Sequence, residues 1–574
     1  MNIKQDITQL IKQALNTLDI AQEKLEIELE RPANKSFGDF SSNVAMMLLK
    51  KQDQFKSPRD LAQAIVDQMQ SLLTEDSLVA KVDIAGPGFI NFTLKDDYYV
   101  TVVKDVLKKQ GKTFKPATDK QKIIVEYSSP NIAKPFTVGH LRSTIIGDAI
   151  ANLLEAVGHT VYRDNHLGDW GTQFGKQIYA IKTWGDEAAL EKSEKPVKEL
   201  VDLYVKFHQE AEKNPDLNDE GRKWFKKLED GDEEARGLWQ KCIDWSWKEF
   251  TYIYQKLGIK FTENDGRGYG ESFFEDKMEP IIKELTDKGL LKESKGAQVV
   301  FFPEDKYPPA MILKQDGATL YHTRDLATDK FRLEKYGADV KIINEVGSEQ
   351  KLYFEQLFEM EKMLGWVKEG QRIHVKHGMF RFSDKKMSTR KGNVIWLDEV
   401  LNEAFDRIKK IAKDRINDQE MWKIAVGAIK WNDLKKNSEL NVVFDWDEIL
   451  RVDGNSGPYM QYSYTRCFSV LEQAQLNDNW EYSGEINAEE KTLMQQLSQF
   501  DEAVNRAIDN LAPHHVCIYL YELAQSFNGF YNKHSILKAD NEEQKQFRLA
   551  LTKATAEVIK RGLGLLGIET LEKM

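Results

Sequence analysis

The stretch that most constrains this chain is PNIAKPFTVGH, residues 130–140. It follows an apolar run, KIIVEYSS, and precedes a periodic one, LRSTIIGDAIANLLEAVG. The first run reads as a buried strand. The second places Leu141, Ile145, Ile146, Ala149, Ile150, Leu153, Leu154 and Val157 on one helical face, with Gly158 as its stop. TVYRDNHLG then returns as a strand. Strand, loop, helix and strand in this order imply a parallel sheet with a right-handed crossover. Such sheets bind ligands beyond the carboxyl ends of their strands, where loop N–H groups and a helix N-terminus face one crevice.

Neither common phosphate loop is present. No GxGxxG follows the strand, and GTQFGKQ (171–177) has three residues between its glycines and Gln where Ser or Thr belongs. The crevice is therefore expected to hold a nucleotide in another way. Gly139 lets a base approach the backbone, His140 can donate to ribose or phosphate, and Lys134 is a mobile cation. Pro130 and Pro135 stiffen the loop. Taken alone, the stretch fits equally a stiff loop with a capping histidine. A second stretch, HGMFRFSDKKMSTRKGN (377–393), gathers cations, hydroxyls and glycine without an apolar period. That composition suits a loop closing over polyphosphate, or a solvated basic loop.

At 574 residues the chain is too long for one core, so three or more domains are expected. Residues 1–116 read as a small α/β unit. DITQLIKQALNTL and SPRDLAQAIVDQMQSLL are helices, the second with Ser57 as N-cap and Pro58 first in the helix. KVDIAGPGFINFTL reads as strands around a turn, and KKQGKTFKPATDKQK as a linker. Residues 190–250 form a charged, tryptophan-rich helical insertion; strands return at AQVVFFP, PAMILKQDG and VKIINEVG. From about residue 400 the pattern is helical. No run of 18 apolar residues and no signal-peptide core occurs, which leads to an expectation of cytoplasmic residence without a membrane span. Cys242, Cys467 and Cys517 form no CxxC pair, no HExxH occurs, and the adjacent His514 and His515 read as a polar helix start, so no structural metal is expected. A net charge of −11 argues mildly against nucleic acid but leaves room for a local basic stripe.

Together, TVGH (137–140) and KMSTR (386–390) resemble the two catalytic motifs of class I aminoacyl-tRNA synthetases, in the right order. GDWGTQFG (168–175), YHTRD (321–325), GNSGPYMQYSYTR (454–466), the tail RLALTKATAEVIKRGLGLLGI, KSFGDFSSNVAM (35–46) and GPGFINF (86–92) extend the resemblance. Across essentially the whole chain it is to the arginyl-tRNA synthetases. Two positions depart from the pattern: Thr137 stands for the first motif's first histidine, and Thr389 for the second motif's second lysine.

The resemblance implies a multidomain α/β fold. Residues 1–116 would be an added tRNA-contacting domain. Residues 117–400 would be a Rossmann-like catalytic domain with helical insertions, 401–452 a helical connecting region, and 453–574 a helical anticodon-binding domain. It implies activation of L-arginine by ATP with Mg²⁺, then transfer to the terminal adenosine of tRNA(Arg), by a monomer, with activation requiring bound tRNA. Lys134, Thr137, His140, Lys386, Arg390 and Lys391 would supply catalysis, with Lys134 replacing part of the missing charge. Glu126, Tyr321 and Asp325 would meet the guanidinium, and Ser128, Asn131, His140 and Gln350 the rest of arginine. Pro135, Val138, Gly139, His140, His377, Gly378, Met379, Lys386, Met387 and Ser388 would bind ATP. Tyr459, Tyr462 and Tyr464 could stack bases or pack in a core. Two other readings remain at this level. A synthetase for a small apolar amino acid fits poorly with Glu126 and Asp325, and a silent tRNA-binding paralogue fits poorly with Lys134 and an intact KMSTRKGN.

Overall fold

A computed structural model describes residues 3–20, 25–49, 54–315, 319–382, 395–413 and 415–574. The chain divides into two compact units. The larger contains 110–475, 499–528 and 555–574, and the smaller contains 1–109, 476–498 and 529–554.

The larger unit is built on a four-stranded parallel sheet. Its labelled elements, in chain order, are β1 (Lys122–Glu126), α1 (Val138–Ala156), β2 (Thr160–Asp164), α2 (Glu233–Leu257), α3 (Tyr321–Tyr336), β3 (Lys341–Gly347), α4 (Lys351–Met363), β4 (Arg372–His377) and α5 (Asp418–Leu434). Across the sheet the order is β4, β3, β1, β2. Glu126 lies opposite both Asp164 and Asn344, and His377 opposite Gly347, so all four strands end on one side. The chain leaves β1 toward β2 on one flank and returns as β3 on the other. That switch point opens the crevice anticipated from the sequence.

Ile123, Ile124, Val125, Ile342 and Ile343 are buried, as strands of a sheet covered on both faces must be. Leu333 and Tyr336 of α3 pack on Ile124, Val340 and Ile342. The amphipathic expectation for α1 is exceeded: Arg142, Thr144 and Asp148 are buried along with its apolar residues. The reason is that α1 is enclosed. Arg142 makes a buried ion pair with Asp433 of α5 at 2.9 Å and donates to the carbonyls of Leu440 (2.8 Å) and Ser438 (3.1 Å). Farther along, the Asp148 carboxylate takes Arg163 at 2.7 Å. The fully buried Lys430 ammonium donates to the Gly567 carbonyl at 2.7 Å.

The charged insertion forms helices Glu187–Lys192, Pro196–Lys213 and Leu217–Glu229 before α2. The expected linker is packed rather than free. Gly111, at φ +73°, has no room for a Cβ beside the Glu557 carbonyl, and buried Phe114 lies 6.0 Å from Phe500. The helical expectation beyond residue 400 holds apart from a short strand, Val442–Phe444, paired in parallel with Phe380–Phe382. Among the described residues, no helix is long and apolar enough to cross a membrane.

The smaller unit has a three-stranded antiparallel sheet with Phe89–Leu94 between Phe40–Ser42 and Val79–Ala85. Helices Ile3–Thr17 and Pro58–Leu72 bury Ile7, Ile11, Leu61 and Ile65. Ser57 caps the second helix, accepting from the Asp60 N–H at 3.2 Å, as its sequence position foretold.

Candidate active site

The loop from β1 to α1 is held in an unusual shape. Ser128 and Ala133 have φ of +57° and +55°, a region that costs a non-glycine residue of the order of 1 kcal/mol and persists only when the surroundings impose it. They do so here. The Ser128 N–H donates to Ser143 Oγ at 3.0 Å, and its hydroxyl bonds those of Thr144 (2.6 Å) and Tyr254 (3.0 Å). The Ala133 N–H donates to Ser246 Oγ at 2.9 Å. Asn131 bridges to Gly168, and a side chain at Gly168 would collide with the Asn131 amide. Ser128 is thus a buried strut of the loop, while Lys134 and Asn131 are carried at its part-exposed rim.

Thr137 begins α1. Its hydroxyl accepts from the Gly139 N–H at 3.2 Å, and its own N–H donates to His140 Nδ1 at 3.1 Å. A reciprocal cap of this kind is worth about 1 kcal/mol to the helix. It also fixes the imidazole: a ring nitrogen that accepts an N–H carries no proton, so His140 keeps its proton on Nε2. Burial pulls the ring down to about 4, so it is a neutral donor near pH 7. Val138 is buried, Pro135 is half-buried, and Gly139 is exposed at the helix start.

The stretch that carries the second motif, 377–393, begins at the end of β4. His377 lies 2.8 Å from Glu345, whose charge outweighs burial and holds the imidazole above its usual range. Gly378 fits against Asn441 and the 439–440 backbone with no space for a Cβ, and the Met379 side chain is 66% exposed. Lys386, Met387, Ser388, Thr389, Arg390 and Lys391 lie outside the described residues. Residues 395–397, just beyond the second motif, are attached to the first. Val138 donates to the Ile395 carbonyl at 3.1 Å, Leu397 donates to that of Phe136 at 2.9 Å, and Thr137 bridges Trp396.

A third group of residues is strongly acidic. Arg332 on α3 meets Glu126 at 2.6 Å, Asp164 at 2.8 Å and Asp329 at 3.3 Å. Arg372 on β4 meets Asp329 at 2.5 Å and Glu361 at 2.9 Å. Burial works to raise Glu126, but Arg332 and then His166 outweigh it and hold the carboxyl below its usual range. Among the described residues, no arginine lies within ion-pair distance of Asp325. Burial pushes its carboxyl up to about 7 against the pull of the Tyr353 hydroxyl, which donates to its Oδ2. Glu126, Asp329 and Glu271 push it the same way. Its side chain is 26% exposed, so the carboxyl sits at the inner end of an opening rather than sealed in the core.

Glu126 and Asp325 line one small cavity with Arg332, Asn344 and His166. Tyr321 stands one helical turn before Asp325, 66% exposed, and Gln350 is exposed at the start of α4. Glu126, expected to meet the guanidinium, reaches the cavity with its Oε2 already paired to Arg332. Sequence reasoning also passed over Arg332, Tyr353 and His166. The last had a usable signal, since His166 lies two residues beyond the carboxyl end of β2. Among the described residues, no group of three or more His, Cys, Asp or Glu side chains is placed to hold a metal ion.

Comparison with known proteins gives the family. Residues 102–446 match the family described as tRNA synthetases class I (R), catalytic domain. Residues 460–574 match the DALR anticodon binding domain, and 5–94 the arginyl tRNA synthetase N terminal domain. Over their full lengths the chain is 42% identical to an arginine–tRNA ligase of Clostridium botulinum (strain Alaska E43) and 41% to one of Clostridium perfringens (strain 13). The crystal structure of arginyl-tRNA synthetase from Plasmodium falciparum superposes with a TM-score of 0.81 at 25% identity, covering 100% of this chain and 99% of that one. The Thermus thermophilus arginyl-tRNA synthetase, at 22% identity and TM-score 0.78 over both whole chains, shares the fold.

Proposed function

The chain belongs to the arginyl-tRNA synthetase family, and from that premise we propose how its residues divide the work. It is a class I aminoacyl-tRNA ligase. It activates L-arginine with ATP to arginyl-adenylate and pyrophosphate, then transfers arginine to the 3′-terminal adenosine of tRNA(Arg). The fold has the family's three parts: a parallel-sheet catalytic domain, an N-terminal domain and a helical anticodon-binding domain.

The arginine side chain enters between Asp325, Tyr321 and the acidic lining of the cavity. The observation that carries this reading is the Asp325 carboxyl, pushed up to about 7 and, among the described residues, without a Lys or Arg ion pair, beside a network with more carboxylates than guanidiniums. A planar cation with five donors answers both features. Asn131, His140 and Gln350 lie on the side of the α-amino and carboxylate groups.

In the first step the arginine carboxylate attacks the α-phosphorus and the bond to pyrophosphate breaks. ATP enters as its magnesium complex. Negative charge grows on the non-bridging and leaving oxygens, so donors and cations are needed more than a nucleophile. His140 supplies Nε2–H, fixed by the Thr137 cap, and Lys134 supplies a cation from the strained loop. Lys386, Arg390 and Lys391 supply the rest. Gly139, Val138, Pro135, His377, Gly378, Met379, Met387 and Ser388 form the nucleotide's bed. In the second step, class I membership directs transfer to the 2′-hydroxyl.

Residues 1–116, 401–452 and 453–574 hold the tRNA, and the protein works as a cytoplasmic monomer. Arginine activation requires bound tRNA, because Thr137 and Thr389 replace stronger donors and leave the triphosphate poorly held until RNA binding energy organises the site. The test is pyrophosphate–ATP exchange with arginine, with and without uncharged cognate tRNA. Exchange should depend on the RNA and weaken as salt rises. Brisk exchange without RNA refutes the dependence, and no exchange under either condition refutes the activity.

A further inference from the structure

We infer that His166 is a specificity-determining residue of the arginine pocket, whose Nε2 accepts an N–H from the substrate guanidinium beside Asp325. The inference rests on the pocket assignment above and deepens it.

The acceptors left open by the protein's own bonding lead to this residue. Glu126 is engaged by Arg332 at 2.6 Å. Asp325 Oδ2 takes the Tyr353 hydroxyl, which leaves Oδ1 the freer oxygen. A guanidinium that pairs with Asp325 therefore meets a carboxylate already partly satisfied, and an acceptor beside Oδ1 adds to the grip. His166 Nε2 lies 3.6 Å from Asp325 Oδ1, within reach of two N–H groups of one guanidinium, and His166 and Asp325 line the same cavity.

The ring presents an acceptor there, not a donor. His166 Nδ1 lies 3.1 Å from the Tyr269 carbonyl, which can only accept, so the proton is on Nδ1 and Nε2 carries the lone pair. Nε2 is buried, with no hydrogen-bond partner among the described residues. The residue is fixed by its backbone N–H, which donates to Ser129 Oγ at 3.1 Å, and by its ring packing 5.7 Å from Phe274. Burial pulls the imidazole down to about 4; Glu126 opposes this, and Arg332 and Arg324 reinforce it. A neutral ring with its lone pair toward a carboxylate oxygen is an unfavourable neighbour until a shared donor lies between them. The substrate's N–H groups are such donors, and the urea oxygen of citrulline is not.

The experiment compares the whole enzyme with His166→Phe, which keeps a ring against Phe274 and removes the acceptor, and with His166→Gln, which restores a side-chain oxygen. Readouts are tRNA-supported exchange kinetics with arginine and with citrulline, KM for ATP and tRNA, and thermal unfolding. For His166→Phe we expect an arginine kcat/KM lower by about ten- to a hundredfold, the worth of a hydrogen bond to a charged group. Citrulline use should change much less, so the arginine-to-citrulline ratio falls at least tenfold, while KM for ATP and tRNA stays within twofold. His166→Gln should recover part of the ratio. If the Phe variant does not fold, the ratio is read from Gln against His166→Leu. An unchanged ratio, equal losses for both amino acids, or tighter arginine binding overturns the inference. Wild-type enzyme that fails to activate arginine overturns instead the function on which it rests.

Discussion

Two buried arginine clusters in the larger unit treat charge in opposite ways. At the start of α1, Arg142 meets one carboxylate, Asp433, at 2.9 Å, and its other donors go to the Ser438 and Leu440 carbonyls. Charge there is matched one for one, and both side chains are 1% exposed. Between the sheet and α3 and α4, Arg332 and Arg372 face Glu126, Asp164, Asp329 and Glu361, with Asp325 nearby. The matched cluster is a fastener: it fixes where α1 lies and has no use for a visitor. Burial raises the Asp433 carboxyl of the matched cluster too, with Arg142 opposing it; in the unmatched cluster neighbouring carboxylates add to burial at Asp325. Burial raises Asp164 to about 6 and Asp325 to about 7, with Arg332 only partly opposing it at Asp164. On the proposed reading, a buried ionic network becomes a recognition site when its charges fail to cancel.

The largest effect should come from breaking the fastener. Arg142→Ala strands the Asp433 carboxylate in the core and should cost about 3–5 kcal/mol of stability, read by denaturant unfolding. Arg142→Met with Asp433→Leu should recover most of that; a double variant as unstable as the single would show that the backbone carbonyls matter more. Asp325→Asn should do the reverse: arginine kcat/KM falls by about 2–5 kcal/mol equivalent while the fold holds. Its folded pKa is raised above the unfolded value, so ionised Asp325 costs stability as pH rises through about 7. The Asn variant should therefore be no less stable than wild type at pH 8, and clear destabilisation there would move Asp325 into the fastener class.

Next come His140→Ala and Lys134→Ala. Each should lower kcat by about 10²–10³, the worth of one oriented donor, with KM for arginine little changed. An effect confined to arginine KM would place either residue in the pocket instead. The smallest effect is that of pH. If arginine pairs with the Asp325 carboxylate as proposed, its Kd should rise as pH falls below about 7, by at most about tenfold per unit, with a proton released on binding. His166, at about 4, stays neutral throughout this range. Calorimetry in buffers of different ionisation enthalpy would read the proton, and a flat profile would show that Asp325 is already ionised.

The contrast between the clusters also explains what the sequence revealed. β1, α1 and β2 were legible because each is coded locally, by an apolar run, a helical period and a glycine stop at Gly158, whose φ is +94°. The Thr137–His140 cap is local too. Ionic partners are chosen by tertiary packing. Nothing around Arg332 in the sequence says that it reaches Glu126, and nothing around Ser128 says that its hydroxyl turns inward to Thr144 and Tyr254. Asp325 was legible only through the YHTRD resemblance, and the Tyr353 bond that takes one of its oxygens was not. His166 fell between the two classes: its place after a strand end is local information, and its role is tertiary.

The clasp on α1 has a consequence for the time course of folding. The helix can nucleate from its own cap, yet its buried polar groups wait for distant chain: Asp433 lies 291 residues beyond Arg142, and Lys430 of α5, 3.9 Å from Asp148, is itself bonded to Gly567, 137 residues farther on. Closing such long loops is slow, and it comes after local structure has formed. The strand and helix around the first motif should therefore form early and stay misplaced until α5 and the 567 turn arrive. On refolding from denaturant, far-ultraviolet ellipticity should return well before adenylate-forming activity. Arg142→Ala should lengthen that lag, because the contact that seats the catalytic helix is among the last made.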